Sequence, residues 1–148
     1  VWNSADFVEI EKQNAGDKGV GVDFRQGNAS ALPLRDGTFD FVICSAAFKN
    51  FSKPLTAMQE MYRVLKPGGT ALIIDMNRNC TKEDIEQEIE RTGIKGFDRW
   101  FVKLSFQTVL RSGAYTGEEL EALIADTDFA GHEIKKGGIG FQVWMYKK

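Results

Sequence analysis

The chain has 148 residues, of which 43% are hydrophobic and 27% charged, with a formal net charge of -2; this describes one globular domain able to bury a single core, not a disordered chain. No global basic field favours nucleic acid, and no apolar run approaches the roughly 18 residues of a membrane span. Two cysteines and a single histidine are too few for a disulfide framework or a metal cluster, so reduced thiols in the cytoplasm are expected.

The chain opens without the basic and apolar pattern of a signal segment. Asp6 to Asn14 reads as a helix with Phe7, Ile10 and Val8 on its apolar side, capped by Ser4 or Asp6 and ended by Gly16. Val20 to Arg25 alternates apolar and polar residues, the period of a strand. After a turn at Gly27-Asn28, Pro33 to Gly37 is polar loop.

Phe39 to Ser45 (FDFVICS) is a short apolar run rich in strand formers and is expected to be buried on both faces of a parallel sheet. Pro54 to Leu65 carries Leu55, Met58, Met61, Tyr62 and Leu65 at helical spacing, and Lys66-Pro67-Gly68-Gly69 breaks it. Thr70 to Met76 is the next buried strand.

Thr81 to Thr92 reads as a charged helix capped by Thr81 with Asp84, and Phe97 to Ser112 as an amphipathic one. Thr116 and Glu119 form a capping box before a helix to about Asp126. Glu133 to Lys136 and Gly140 to Tyr146, joined at Gly137-Gly138, read as an antiparallel hairpin. Strands alternating with helices predict an α/β, Rossmann-like domain: a mostly parallel sheet, helices on both faces and a C-terminal antiparallel hairpin.

Ligands of open α/β sheets bind outside the carboxyl ends of the strands. Those ends are Gln26-Gly27-Asn28-Ala29, Cys44-Ser45-Ala46-Ala47 and Asp75-Met76-Asn77, each with a small or polar residue after an apolar strand. Small side chains let backbone amides approach a flat ligand, and Asn28 offers both a donor and an acceptor.

Four motifs occur in order: Gly27-Asn28-Ala29, Leu32-Pro33-Leu34, Thr38-Phe39-Asp40 and Arg63-Val64-Leu65-Lys66-Pro67-Gly68-Gly69. Together they resemble the core of the class I S-adenosylmethionine-dependent methyltransferases, in particular the type 11, quinone-biosynthesis-like group. The resemblance covers about Val20 to Met76 closely, and it implies S-adenosylmethionine as cofactor and a small molecule as substrate. It places Asn28, Ala29, Ser30 and Leu32 at the adenine and Ser45 and Ala46 along the methionine part. Phe48, Lys49, Asn50 and Asn77 are then candidates for the substrate side. Lys49 and Asn50 stand where the family often has histidines, so no catalytic base is assigned.

Two departures stand out. The family's first strand and Gly-x-Gly-x-Gly turn are not found, and Trp2 or Asn3 falls where an acid should hold the ribose. The 148 residues therefore read as a single methyltransferase domain truncated at its N-terminus, its first strand missing. Alone they are expected to be poorly stable or to borrow a strand from another copy, which makes a homo-oligomer one candidate assembly. The competing expectation is a non-catalytic, methyltransferase-like interaction domain. A nicotinamide dehydrogenase would need the same glycine turn and lacks the Lys-Pro-Gly-Gly pattern.

Overall fold

The computed structural model describes residues 5–93 and 113–148. The first helix, α1 (Ala5–Asp17), is longer than expected. It closes on glycines: Gly19 has φ 65°, and the Gly19 and Val20 amides donate to the Gly16 and Ala15 carbonyls. Val8 is buried whereas Ile10 is 53% exposed, so Ile10 does not share the buried side expected of it.

The strand expected over Val20 to Arg25 does not form; residues 20–25 lie outside every strand, and Val20 and Val22 are each 55% exposed. The physical reason is that alternation supplies a face but not a partner. An isolated strand leaves its amides and carbonyls to water, and among the described residues no neighbour pairs with this one.

The remaining elements follow closely. They are β1 (Phe39–Ser45), a 3-10 turn (Phe48–Asn50), α2 (Pro54–Val64) and β2 (Leu65–Met76), then α3 (Lys82–Thr92), α4 (Gly117–Ala125), β3 (Gly131–Gly137) and β4 (Gly140–Tyr146). The helix expected over Phe97 to Ser112 lies outside the described residues. Both capping boxes form, Thr81 with Asp84 and Thr116 with Glu119, each side chain closing on the other's backbone amide.

The four strands make one sheet in the order β1-β2-β4-β3. β1 runs parallel to β2, and β4 is antiparallel to both β2 and β3. On one face Ala71, Ile73, Val143 and Met145 pack with Met58 and Met61 of α2 and Leu120 and Ile124 of α4. Met76, of the opposite parity on β2, packs with Ile85 and Ile89 of α3. Helices thus lie on both faces, as expected.

Two details depart from the reading of single segments. β1 is not buried on both sides: it is an edge strand among the described residues, with Phe41 47% and Ile43 55% exposed. The helix does stop ahead of Lys66-Pro67-Gly68-Gly69, as expected, but the motif also opens β2 as an irregular stretch, where the strand was expected only from Thr70. Lys66 reaches Asp40 at 2.8 Å, and a Cβ on Gly69 would stand 2.9 Å from the Lys66 carbonyl oxygen and 3.1 Å from that of Asp40. Only a glycine lets β1 and β2 approach there.

Among the described residues no helix is long and apolar enough to cross a membrane. None of them form a cluster able to hold a metal ion, and Cys44 and Cys80 are free thiols.

Candidate functional site

At the carboxyl end of β1 the chain turns sharply. Ala46 takes φ 54°, a left-handed conformation that costs a non-glycine residue about 1–3 kcal/mol. Its amide is held by the Ile74 carbonyl of β2 at 2.8 Å. Ser45 and Ala46 are both exposed, so the strained turn presents backbone and small side chains at the strand ends, where a ligand of this fold class would lie.

The 3-10 turn that follows is fastened to β2 by Asp75. One carboxylate oxygen of Asp75 accepts from the Lys49 amide at 2.9 Å. The other accepts from the Met76 amide at 2.7 Å and lies 3.8 Å from Lys49 Nζ. The side chains are 7% and 15% exposed, so the pair is largely out of water. Its charge is felt nearby: burial first, then Asp75, pushes the Cys44 thiol up to about 11. Tyr115 is also raised, by burial and then by the charges of Glu119 and Asp75.

Phe48 is fully buried, edge-on to Phe51 at 5.6 Å and 5.5 Å from the Tyr115 ring. It anchors the turn in the core, while Asn50 is exposed beyond it. Asn77 is 8% exposed and committed to its own turn, its side-chain oxygen accepting from the Asn79 amide at 2.8 Å. Its backbone pairs with Tyr115 and donates to the Ile139 carbonyl.

Asn28 to Ser30 form a second, more exposed part. The Asn28 side-chain oxygen accepts from the Ser30 amide at 2.9 Å, and Asn28 bridges Ala31 across a tight turn. Ser30 Oγ donates to the Lys53 carbonyl at 3.3 Å, tying this turn to the start of α2. Leu32 is half-buried, and its amide donates to Glu60 of α2 at 2.7 Å. The segment that leaves Ala46 and passes through Lys49 thus returns to the Asn28 turn at Lys53.

In the sequence Asp75 stood out only as part of a strand end with no role of its own, Glu60 did not stand out, and Arg63 did so only as part of a motif. A carboxylate closing an apolar strand, as in TALIID, was the available signal for Asp75. Glu60 and Arg63 gave only an i,i+3 pair, which surface helices commonly carry.

The profile of the methyltransferase domain family matches residues 3–73. A ubiquinone/menaquinone biosynthesis C-methyltransferase of Methylobacterium nodulans is 32% identical over 117 residues, which are 78% of this chain and 41% of that protein. A demethylmenaquinone methyltransferase of Deinococcus radiodurans is 37% identical over 75 residues, 48% of this chain and 31% of that one. The chain therefore spans less than half the length of these two relatives. Among solved structures, an S-adenosylmethionine-dependent methyltransferase from Aquifex aeolicus superposes with a TM-score of 0.69 at 20% identity, covering 99% of this chain and 66% of that one. A second from Thermotoga maritima gives 0.68 at 23% identity, covering 99% and 71%. These two likenesses establish the Rossmann-like fold.

Proposed function

From the premise that this chain belongs to the class I S-adenosylmethionine-dependent methyltransferases, we propose that it serves methyl transfer from S-adenosylmethionine to a small-molecule acceptor. Quinone precursors are the first acceptors to try, because the relatives it resembles are named for ubiquinone and menaquinone biosynthesis. The non-catalytic alternative is not favoured, since the family match over residues 3–73 takes in the adenine-side turn and the end of β1.

The residues present fit the adenosine half of the cofactor. Asn28 is exposed, and its oxygen, engaged once by the Ser30 amide, keeps a second lone pair for an amino group. Leu32 supplies an apolar wall beside it. The exposed, left-handed turn at Ser45-Ala46 supplies a surface along which the amino-acid portion can lie.

When bound, S-adenosylmethionine would supply an activated methyl group, displaced onto an electron pair of the acceptor while the carbon–sulfur pair stays on sulfur and the acceptor's proton passes to solvent. The leaving sulfide is neutral and needs no acid, so the protein's task is orientation, which can supply about 7–11 kcal/mol. Lys49, held by Asp75, offers a positive pole to the acceptor, and the neighbouring carboxylate offsets its charge toward a cationic sulfonium. Ser45 and Asn50 are the exposed polar groups beside it.

The observation that carries this reading is the pairing of a strained, exposed turn after β1 with an ion pair at the end of β2. Its test is transfer of a labelled methyl group from S-adenosylmethionine to demethylmenaquinol and to simple hydroquinones. Incorporation above a boiled control supports it; none with the panel, by a protein that binds the cofactor product, moves the acceptor to another chemical class.

A further inference from the structure

Arg63 uses all five of its N–H donors within one loop and one neighbour. Nε donates to Glu60 Oε1 at 2.7 Å, and Nη2 donates to Glu60 Oε2 at 2.7 Å and to the Leu32 carbonyl at 3.1 Å. Nη1 donates to the Leu34 carbonyl at 2.9 Å and to Asp36 at 2.5 Å. Glu60 Oε2 in turn accepts from the Leu32 amide at 2.7 Å. Both backbone polar groups of Leu32 are thus gripped by one ion pair on α2, in a closed ring of amide, carboxylate, guanidinium and carbonyl.

We infer that Glu60 and Arg63 are positioning residues for the adenine-side wall, setting affinity and base selectivity for an adenine-bearing ligand that neither touches. The inference rests on the proposed cofactor reading. The residues from 31 to 37 form no regular element apart from the bridge at Ala31, so ladder bonds do not fix Leu32 in place. A planar fork reading two carbonyls two residues apart fixes the direction of the backbone between them, which a point charge cannot do. The Ser30 hydroxyl on the Lys53 carbonyl pins the other end of the same loop to the start of α2. Leu32 and Asn28 are therefore registered to the helix that continues from the Lys49 turn, and the adenine side is coupled to the acceptor side through α2.

A purely structural clamp predicts a different pattern from a positioning one. Losing a structural clamp lowers the melting temperature and leaves the affinity of the surviving folded molecules unchanged. Losing a positioning clamp changes affinity, and changes it differently for ligands that differ only in the base.

The test is calorimetric titration of the full chain, wild type and R63K, with S-adenosylhomocysteine and with S-inosylhomocysteine, alongside thermal melts. R63K keeps the charge and loses the fork. The expected result is about a tenfold weaker Kd for the adenine ligand, the scale of one lost charge-assisted hydrogen bond, with the preference for adenine over hypoxanthine reduced. E60Q, which keeps an acceptor for the Leu32 amide, should show a smaller loss of the same kind and serves if R63K does not fold. Unchanged affinity and base preference in folded variants, with a lowered melting temperature only, would overturn the inference. No binding by the folded wild type would instead overturn the cofactor reading, and the inference with it.

Discussion

Asp75 and Lys49 meet twice, through the Lys49 amide on one carboxylate oxygen and through Lys49 Nζ, 3.8 Å from the other. The first contact is backbone anchoring and the second is charge pairing, and the two are separable. They stand 26 residues apart in sequence and join the turn after β1 to the end of β2. Because both side chains are largely buried, removing either partner alone exposes which contact matters.

Asp75→Ala leaves the Lys49 amide without its acceptor and the ammonium without its counter-charge. A loss of about 1–3 kcal/mol of folding stability is expected, the cost of unsatisfied buried groups. Lys49→Met keeps the amide bond and is expected to cost less than about 1 kcal/mol, because Asp75 retains two backbone donors. Urea melts of the two variants check this, and equal losses would contradict the ordering.

Cys44 is raised from 9.0 to about 11. The thiolate is the reactive form, so the folded protein should hold about 100-fold less of it near pH 8 than the unfolded chain. Labelling by a disulfide reagent, followed in a Cys80→Ser background, should be slowed at least that much in the native state. Asp75→Asn should speed it, because the Asp75 charge is the second cause after burial. Native labelling as fast as in denaturant would contradict the burial of this end of β1.

Gly69→Ala places a methyl group 2.9 Å from the Lys66 carbonyl and 3.1 Å from the Asp40 carbonyl, both backbone. The first lies in β2 itself and the second in β1, so relief bends the start of β2 or moves it from β1, and a loss of about 1–3 kcal/mol is expected. Gly21→Ala meets nothing within 4 Å and should be neutral or stabilising by up to about 1 kcal/mol. Paired denaturant melts distinguish the two.

The Glu60 carboxyl is held below its ordinary 4.5, chiefly by the hydrogen bond from Arg63. A carboxyl depressed in the folded state contributes stability that is complete above the unfolded value and lost as pH falls through the folded one. Wild type should therefore lose stability between about pH 5 and 3 more steeply than Glu60→Gln, the difference isolating this group from the other paired acids. Parallel curves for the two proteins would show that the clamp is not formed in solution.

What was legible in the sequence was local. FDFVICS gave β1 to the residue, because a seven-residue apolar run between turns has few other uses. Thr81-Asp84 and Thr116-Glu119 gave two helix starts, because a capping box closes within four residues. What was not legible depended on partners far along the chain. Val20 to Arg25 has the alternation of a strand but forms none, and no described residue pairs with it. Phe41 and Ile43 have the composition of a core strand and lie exposed on an edge. Asn77 is buried at the end of β2 with its side-chain oxygen on the Asn79 amide, a burial that no spacing announces. Glu60 and Arg63 act on Leu32 and Leu34 across 28 to 31 residues, a spacing that carries no pattern a single sequence can display.

Calorimetric titration of the full chain with S-adenosylhomocysteine decides whether these residues form the adenosine side of a methyltransferase site. Saturable binding that weakens when Asn28 is changed to Ala is expected. A folded sample that takes up no S-adenosylhomocysteine, or whose binding is indifferent to Asn28, would contradict it.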